Sequence, residues 1–191
     1  MNETPKSRGR IQFLLIAAIF LGPLAIAAWM YFTDSELIPE GRVNHGALLE
    51  PIVRLNEALP DSGFHAQNEG HWVLLHASAD ACGEECEYAL YTLRQTRLML
   101  GKEMDRVVRV FLHGETPPDT VFLAEQHEGL VTLRDDSLGK LLDGKRPQEL
   151  ATGGYYLIDP LGNLVMYFPP DIDPSAMVED VKRLLKQSRI G

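Results

Sequence analysis

The longest hydrophobic segment of the chain lies near its N-terminus. Residues 11–32 contain no charged side chain, and Gln12 is the only strongly polar residue among them. An α-helix of this length would cross a hydrocarbon layer of about 30 Å. Basic residues precede the segment and acidic residues follow it, so the positive-inside rule places residues 1–10 in the cytoplasm. The pattern therefore predicts a single transmembrane anchor.

A cleaved signal peptide is the alternative interpretation of this segment. The tripeptide Ala25-Ile26-Ala27 has the small-x-small form of a cleavage site. Hydrophobic residues continue past it through residues 29–32, which favours an anchor that is retained. In both cases the rest of the chain reaches an oxidising compartment, where two cysteines can form a disulfide.

Residues 33–46 are polar and contain proline and glycine, a composition typical of a linker, and residues 47–191 follow as one exported domain. Alternating or continuous apolar runs predict the strands, and capping residues and helical periodicity predict the helices. Strands are predicted at residues 52–55, 72–77, 106–112, 130–133, 155–159 and 164–168, and helices at residues 83–100, 117–127 and 136–143 and from Pro174, with Asp173 as its N-cap.

The arrangement of these elements indicates the fold. Residues 72–77 are apolar on both faces, as in a central strand, and the last two strands are joined by so short a turn that they must form an antiparallel hairpin. The fold class is therefore α/β, a thioredoxin-like mixed sheet flanked by helices and preceded by one N-terminal transmembrane helix. On the helix at residues 83–100, Ala89, Leu90, Leu93, Leu98 and Leu100 are expected to face inward, and Arg94 and Arg97 outward.

Composition and charge narrow the classes of partner. With 45% hydrophobic and 24% charged residues, the chain has a globular composition. Its formal net charge is -9, and a surface that acidic repels nucleic acid. The sequence therefore predicts no nucleic-acid partner and favours basic proteins or cations.

Cys82 and Cys86 are the only cysteines of the chain, and they lie where the central strand passes into a helix. One helical turn apart, their Cα atoms should be about 6 Å from each other, within the range that a disulfide tolerates. They can close a ring or hold one soft ion. A helix N-terminus stabilises a thiolate, whereas nearby carboxylates, such as those of Glu84 and Glu85, oppose it and favour a bound cation. A purely structural disulfide is the alternative.

From residue 73 onward the chain resembles the SCO/SenC family of cytochrome c oxidase assembly proteins. The resemblance is carried by the N-terminal anchor, by the C-x3-C of Cys82 and Cys86 after the central strand, and by the sequence Tyr-Leu-Ile-Asp-Pro-Leu-Gly at residues 156–162. It implies a thioredoxin-like domain in the periplasm, held by a single-pass anchor in the bacterial inner membrane. In that family the cysteines bind copper and deliver it to oxidase subunit II, or reduce the cysteines of that subunit. The resemblance thus implies oxidase subunit II or other oxidase assembly proteins as partners, and copper as the metal.

The chain departs from the family pattern in ways that mark it as a divergent member. Gly83 and Glu87 stand where the family has proline, and no proline directly precedes the strand at residue 155. Residues 152–154 fill the place of the family's copper-ligating histidine. His76, six residues before Cys82, is the nearest candidate for a third ligand, and a buried histidine without metal is its alternative interpretation. His113 is a weaker candidate, and His45 lies in the predicted linker.

Three functions remain open. In the first, the chain is a thiol–disulfide oxidoreductase whose catalytic residues are Cys82 and Cys86. In the second, it is a Cu(I) metallochaperone with Cys82, Cys86 and His76 as ligands. In the third, it is a non-catalytic assembly protein with a structural disulfide, which meets its partner through an exposed edge at residues 167–171.

Overall fold

A computed structural model of the protein describes residues 7–32, 44–188 and 190. These residues form two units, an N-terminal helix and a folded unit that begins at Asn44. Helix α1, Ser7–Phe32, is long and apolar enough over Ile11–Trp29 to cross a membrane. Its side chains between residues 11 and 29 are nearly all exposed, as lipid-facing side chains must be. The single apolar N-terminal helix that the sequence predicted is therefore confirmed.

The folded unit is a mixed six-stranded sheet with helices on both faces. Its strands are β1 Ala47–Arg54, β2 Trp72–Ser78, β3 Val107–His113, β4 Leu130–Leu133, β5 Tyr155–Ile158 and β6 Asn163–Phe168. Its helices are α2 Leu55–Ala58, α3 His65–Asn68, α4 Glu84–Met99, α5 Thr120–Gln126, α6 Asp136–Lys145 and α7 Pro174–Gln187, with a 3-10 helix at Gly101–Arg106. The strand order is β1-β6-β5-β2-β3-β4. Strands β2, β3 and β4 are parallel, and the other pairings are antiparallel.

The core has two layers because β2 is buried on both faces. Successive side chains of a strand point to opposite sides, so Trp72 and Leu74 enter one layer while Val73 and Leu75 enter the other. The first layer packs against α4 and α7, and the second against α6 and Phe64. The prediction of a central strand at residues 72–77 is confirmed, and the cysteine-bearing helix α4 starts from the end of that strand.

Two predictions about exposure are wrong. Leu98 is 49% exposed, because the buried side of α4 is formed by residues such as Ala89 and Leu93 and residue 98 lies on the opposite side. Tyr167 and Phe168 are completely buried, because β6 lies between β1 and β5 and has no free edge. The exposed edge expected at residues 167–171 is therefore not formed by these two aromatic side chains.

The first described residues of the folded unit form hydrogen bonds with side chains of α7. The backbone N–H groups of His45 and Gly46 donate to the Asp180 carboxylate at 2.7 and 2.9 Å, and this carboxylate is 1% exposed. Arg183 also donates to the Asn44 side chain at 3.0 Å. Most of the predicted linker, residues 33–43, lies outside the described residues, so the boundary at residue 47 stays a prediction.

Candidate functional site

The two cysteines form a disulfide at the start of α4. Gly83 is the N-cap of the helix in an extended conformation, and its carbonyl accepts the first helical hydrogen bond from Glu87 at 2.9 Å. This geometry places Cys82 in the loop and Cys86 in the first helical turn, with their Cα atoms 5.1 Å apart. The closeness of the two cysteines that their spacing predicts is therefore confirmed, and a bond between the two sulfurs joins them.

The two sulfurs differ in their access to solvent. Cys86 is 7% exposed and belongs to the core layer that contains Ala89 and Leu90. Cys82 is half-buried and packs against that layer from outside. A thiolate from another molecule therefore reaches Cys82 more easily than Cys86, and this asymmetry is what a reactive cysteine with a resolving partner requires.

Negative charge surrounds the disulfide on the solvent side. The side chains of Glu84, Glu85 and Glu87 are exposed, and none of them forms an ion pair with another described residue. Unpaired carboxylates disfavour a thiolate, whereas the free N–H groups of the helix N-terminus favour it. The site thus combines two opposing electrostatic effects, and the carboxylates attract cationic molecules towards the disulfide.

A cavity of about 560 Å³ lies between the cysteine turn, the end of β2 and the segments that flank the hairpin. It is lined by His76, Ala77, Ser78, Glu84, Glu85, Cys86, Tyr88, Ala89, Thr152, Gly153, Tyr155, Pro170 and Asp171. A second hollow, of about 680 Å³, shares Ala77, Ser78, Thr152 and Gly153 with it and is not lined by either cysteine. We refer to the first as the redox cavity, because Cys86 of the disulfide lines it.

His76 lies in the wall of the redox cavity and is 3% exposed. Its Nδ1 atom is 3.1 Å from the carbonyl oxygen of Gly154, which can only accept, so Nδ1 carries the proton. Burial lowers the pKa of the imidazole and keeps the ring neutral. The lone pair of Nε2 is therefore available, and this atom has no partner among the described residues.

The residues present do not fit a three-ligand copper site of the family type. Gly154 occupies the end of the segment where the family histidine would stand, and a Cβ atom there would lie 2.0 Å from the carbonyl oxygen of Phe168. Residue 154 therefore has no room for a side chain unless β6 moves. Among the residues that the structure describes, no three His, Cys, Asp or Glu side chains are grouped so that they could hold a metal ion. The assignment of Cys82, Cys86 and His76 as copper ligands stays a prediction.

The other histidines lie elsewhere. His113 lines the larger hollow, where its Nδ1 is 2.9 Å from the Gly114 carbonyl oxygen. His45 contacts Glu179 on α7, with 3.1 Å between Nε2 and the carboxylate. The sequence reasoning missed Tyr88, which follows Cys86 by two residues and lines the redox cavity. An aromatic residue at an outward-facing position close to a cysteine of the pair is the signal available for it.

Comparisons with known proteins agree with this architecture. Residues 72–188 match the family described as transmembrane-like, thioredoxin-like, C-terminal domain, and residues 4–34 match the one described as transmembrane-like, N-terminal domain. No curated protein sequence matches the chain.

Several solved structures share the fold. Yeast Sco1 is 16% identical with a TM-score of 0.52, over 65% of this chain and 85% of that one. ScoI of Arabidopsis thaliana with copper bound is 19% identical with a TM-score of 0.51, over 65% and 89% of the two chains. Apo Sco1 of Thermus thermophilus is 19% identical with a TM-score of 0.50, over 62% and 82%. At such identities the likeness concerns the fold alone, and at that level it confirms the thioredoxin-like arrangement and the resemblance to SCO/SenC proteins.

Proposed function

This chain belongs to the transmembrane-like, thioredoxin-like C-terminal domain family, and on that premise we propose that it is a membrane-anchored protein that exchanges thiols and disulfides through Cys82 and Cys86. The observation that carries the proposal is the asymmetry of the pair. Cys82 is half-buried, and Cys86 is buried in the wall of a cavity that opens to solvent. A purely structural disulfide needs neither the cavity nor an accessible sulfur.

The exchange proceeds in two balanced steps. In the reduced protein, the thiolate of Cys82 attacks one sulfur of a partner disulfide, forms a mixed disulfide and releases the other partner sulfur as a thiolate. Cys86 then attacks the Cys82 sulfur and expels the remaining partner sulfur. The partner disulfide becomes two thiols, and the Cys82–Cys86 disulfide is formed. The same steps run in reverse when the partner is the reductant.

His76 is the residue that we assign to the proton of Cys86. The resolving thiol must lose its proton before it attacks, and burial in apolar surroundings disfavours that loss, so a nearby base assists the step. The neutral His76 ring offers a lone pair at Nε2 in the wall of the cavity that Cys86 also lines. The imidazolium formed in this way then returns the proton to the thiolate of the departing partner.

The proposal places the chain in the bacterial inner membrane with its folded domain in the periplasm. Residues 1–10 would be cytoplasmic, residues 11–32 the anchor, residues 33–46 the linker and residues 47–191 the exported domain. The basic residues before the apolar segment support this orientation. The resemblance to SCO/SenC proteins supports partners among oxidase subunit II and the other oxidase assembly proteins.

Copper binding is the second candidate function. It is supported by the copper in ScoI of Arabidopsis thaliana and by the preference of Cu(I) for thiolates, two of which appear when the disulfide is reduced. The absence of space for a side chain at Gly154 argues against a third ligand at that place. A site in this protein would therefore hold Cu(I) on the two sulfurs, without a ligand from residue 154.

The reduction potential of the pair separates an exchanging couple from a structural disulfide. Full-length protein in detergent is equilibrated with glutathione buffers, and the fraction of free thiols is counted by alkylation and mass spectrometry. We expect a potential between about -180 and -270 mV, the range of working thioredoxin-like couples. A potential below about -300 mV would mark a structural bond and reject the proposal.

A further inference from the structure

The outer face of α4 carries aromatic and aliphatic side chains where polar ones are expected. Tyr88, Tyr91 and Leu98 are 59%, 50% and 49% exposed, and their spacing places them on one side of the helix. The opposite side of α4 already packs on the sheet. The helix therefore has two apolar stripes, and the fold accounts for only one of them.

Tyr88 and Tyr91 of this stripe border a groove that continues from the redox cavity. Tyr88 and Tyr91 stack with ring centroids 6.5 Å apart, and they border a hollow of about 280 Å³ whose wall includes Phe122 and His127. Glu84 and Tyr88 line both this hollow and the redox cavity. We call the hollow, which is lined by Glu84, Glu87, Tyr88, Tyr91, Arg94, Phe122, Gln126 and His127, the aromatic groove.

A buried polar group in this wall lacks a partner. His127 is 4% exposed and packs against Phe122 with ring centroids 5.0 Å apart. Its Nδ1 atom forms no hydrogen bond with any residue in the described part of the chain. Burial and the neighbouring Arg109 and Arg94 lower the pKa of its imidazole. A neutral, buried imidazole with an unused nitrogen is a group that a bound molecule can satisfy.

The aromatic groove has opposite charges at its two ends. Glu84 and Glu87 lie at the disulfide end, and Arg94 lies at the far end, about 10 Å from Glu87 along the helix. Burial, and after it the positive charges of Arg97 and Arg94, lower the pKa of Arg109 to about 10, so three cationic side chains lie near one another at this end. A molecule bound in the aromatic groove therefore meets negative charge near the disulfide and positive charge at the Arg94 end.

We propose that the aromatic groove docks a segment of the partner protein that carries a basic residue beside its reactive cysteine, an apolar residue in the middle and an acidic residue at its other end. The inference rests on the proposed function, because it specifies the partner of the same disulfide. Such a segment complements the carboxylates at one end of the groove and Arg94 at the other, and the groove is continuous with the redox cavity through Glu84 and Tyr88. An anionic lipid surface would be repelled by the carboxylates at the disulfide end.

The test uses two synthetic peptides of identical composition. One has Lys beside a cysteine, Phe in the centre and Glu at the far end, and the other exchanges the Lys and the Glu. In both, the cysteine is a mixed disulfide with thionitrobenzoate, so attack by Cys82 forms a protein–peptide disulfide and releases the coloured thiolate. Reduced full-length protein in a non-ionic detergent is the reagent. The uncharged bis(2-hydroxyethyl) disulfide serves as reference substrate for each variant.

We expect the peptide with Lys beside its cysteine to react about tenfold faster than the other at low ionic strength, with most of the difference lost at about 1 M salt. The double variant Glu87→Lys with Arg94→Glu leaves each end of the groove with charges of both signs, so it should abolish most of the preference. Tyr91→Ser should reduce the rates of both peptides about tenfold relative to its own rate with the reference substrate. Glu149→Lys and Leu161→Ser, at exposed positions outside the groove, are the matched controls and should behave as the unaltered protein does.

The outcomes separate the two proposals. If the reference substrate reacts and both peptides react equally fast, the docking inference is wrong while thiol–disulfide exchange stands. If neither the peptides nor the reference substrate reacts, the proposed function itself fails. A dimer that light scattering detects and that Tyr91→Ser dissociates would show that a second copy of the chain occupies the groove, and would overturn the assignment to a partner protein.

Discussion

The pH dependence of stability offers a direct test of the state assigned to His76. The proposed substitution is His76→Asn, because the asparagine side-chain N–H can donate to the Gly154 carbonyl as Nδ1 of the imidazole does. The variant thus keeps the buried hydrogen bond and removes only the group that titrates. Replacement by a residue without a donor would also leave the Gly154 carbonyl unsatisfied, and the two effects would be mixed.

The sign of the effect follows from the direction of the pKa shift. In the folded protein, burial holds the pKa of His76 below its ordinary value of 6.5, whereas in the unfolded chain the group titrates near that value. Between the two values the unfolded chain binds more protons, so the free energy of unfolding decreases as the pH falls through this window. For one proton the slope cannot exceed about 1.4 kcal/mol per pH unit. Well above pH 6.5 the group is neutral in both states, so His76 contributes no pH dependence there.

The assay is urea unfolding of the full-length protein in detergent, followed by the fluorescence of the buried Trp72, at several values between about pH 8 and pH 5. We expect the unaltered protein to lose stability below about pH 6.5 more steeply than His76→Asn, by up to about 1.4 kcal/mol per pH unit. His127 and the carboxylates of the redox cavity are present in both proteins, so their effects on the free energy of unfolding cancel when the two pH curves are subtracted. Parallel curves over the whole range would refute the buried, neutral state of His76.

Three further predictions concern the surroundings of the disulfide and the domain as a whole. Gly154→Ala places a methyl group 2.0 Å from a backbone oxygen and should lower the free energy of unfolding by about 2 kcal/mol or more in urea titrations. The control is Gly144→Ala, in open space on α6, which should raise the free energy of unfolding by up to about 1 kcal/mol. Asp180→Ala leaves two buried or half-buried backbone N–H groups without their acceptor and should cost about 2 to 4 kcal/mol, and an unchanged urea midpoint would contradict the assigned contact. In anaerobic Cu(I) titrations of the reduced protein, Cys86→Ser should abolish any stoichiometric binding, and His76→Asn should leave the affinity for Cu(I) unchanged. A loss of Cu(I) affinity in the His76→Asn variant would establish His76 as a third ligand.

The parts of the fold that the sequence predicted correctly are those set by local patterns. A run that is apolar on both faces identified β2, and a short turn between two β-runs identified the β5–β6 hairpin. Asp173 followed by proline marked the start of α7, where the carboxylate does accept from the Ser175 N–H at 2.7 Å. Each of these signals acts over a few residues and needs no knowledge of the rest of the chain.

The errors arose where distant segments decide the environment. Helix α4 has an apolar stripe on each side, and periodicity alone does not tell which of them meets the sheet, so the sequence predicts Leu98 as inward-facing and does not single out Tyr88. Tyr167 and Phe168 are buried because β1, more than a hundred residues earlier in the chain, pairs with β6. The hydrogen bond of His76 joins it to Gly154, 78 residues away. No local sequence pattern contains that information.

The central claim is that the half-buried Cys82 exchanges with partner disulfides while the more deeply buried Cys86 resolves the product. Its most direct test is mass spectrometry of the mixed disulfides that the reduced single-cysteine variants form with glutathione disulfide. Cys86→Ser should accumulate a mixed disulfide at Cys82, and Cys82→Ser should react at least about a hundredfold more slowly through its buried sulfur. Equal rates for the two variants, or no mixed disulfide with either, would contradict the account.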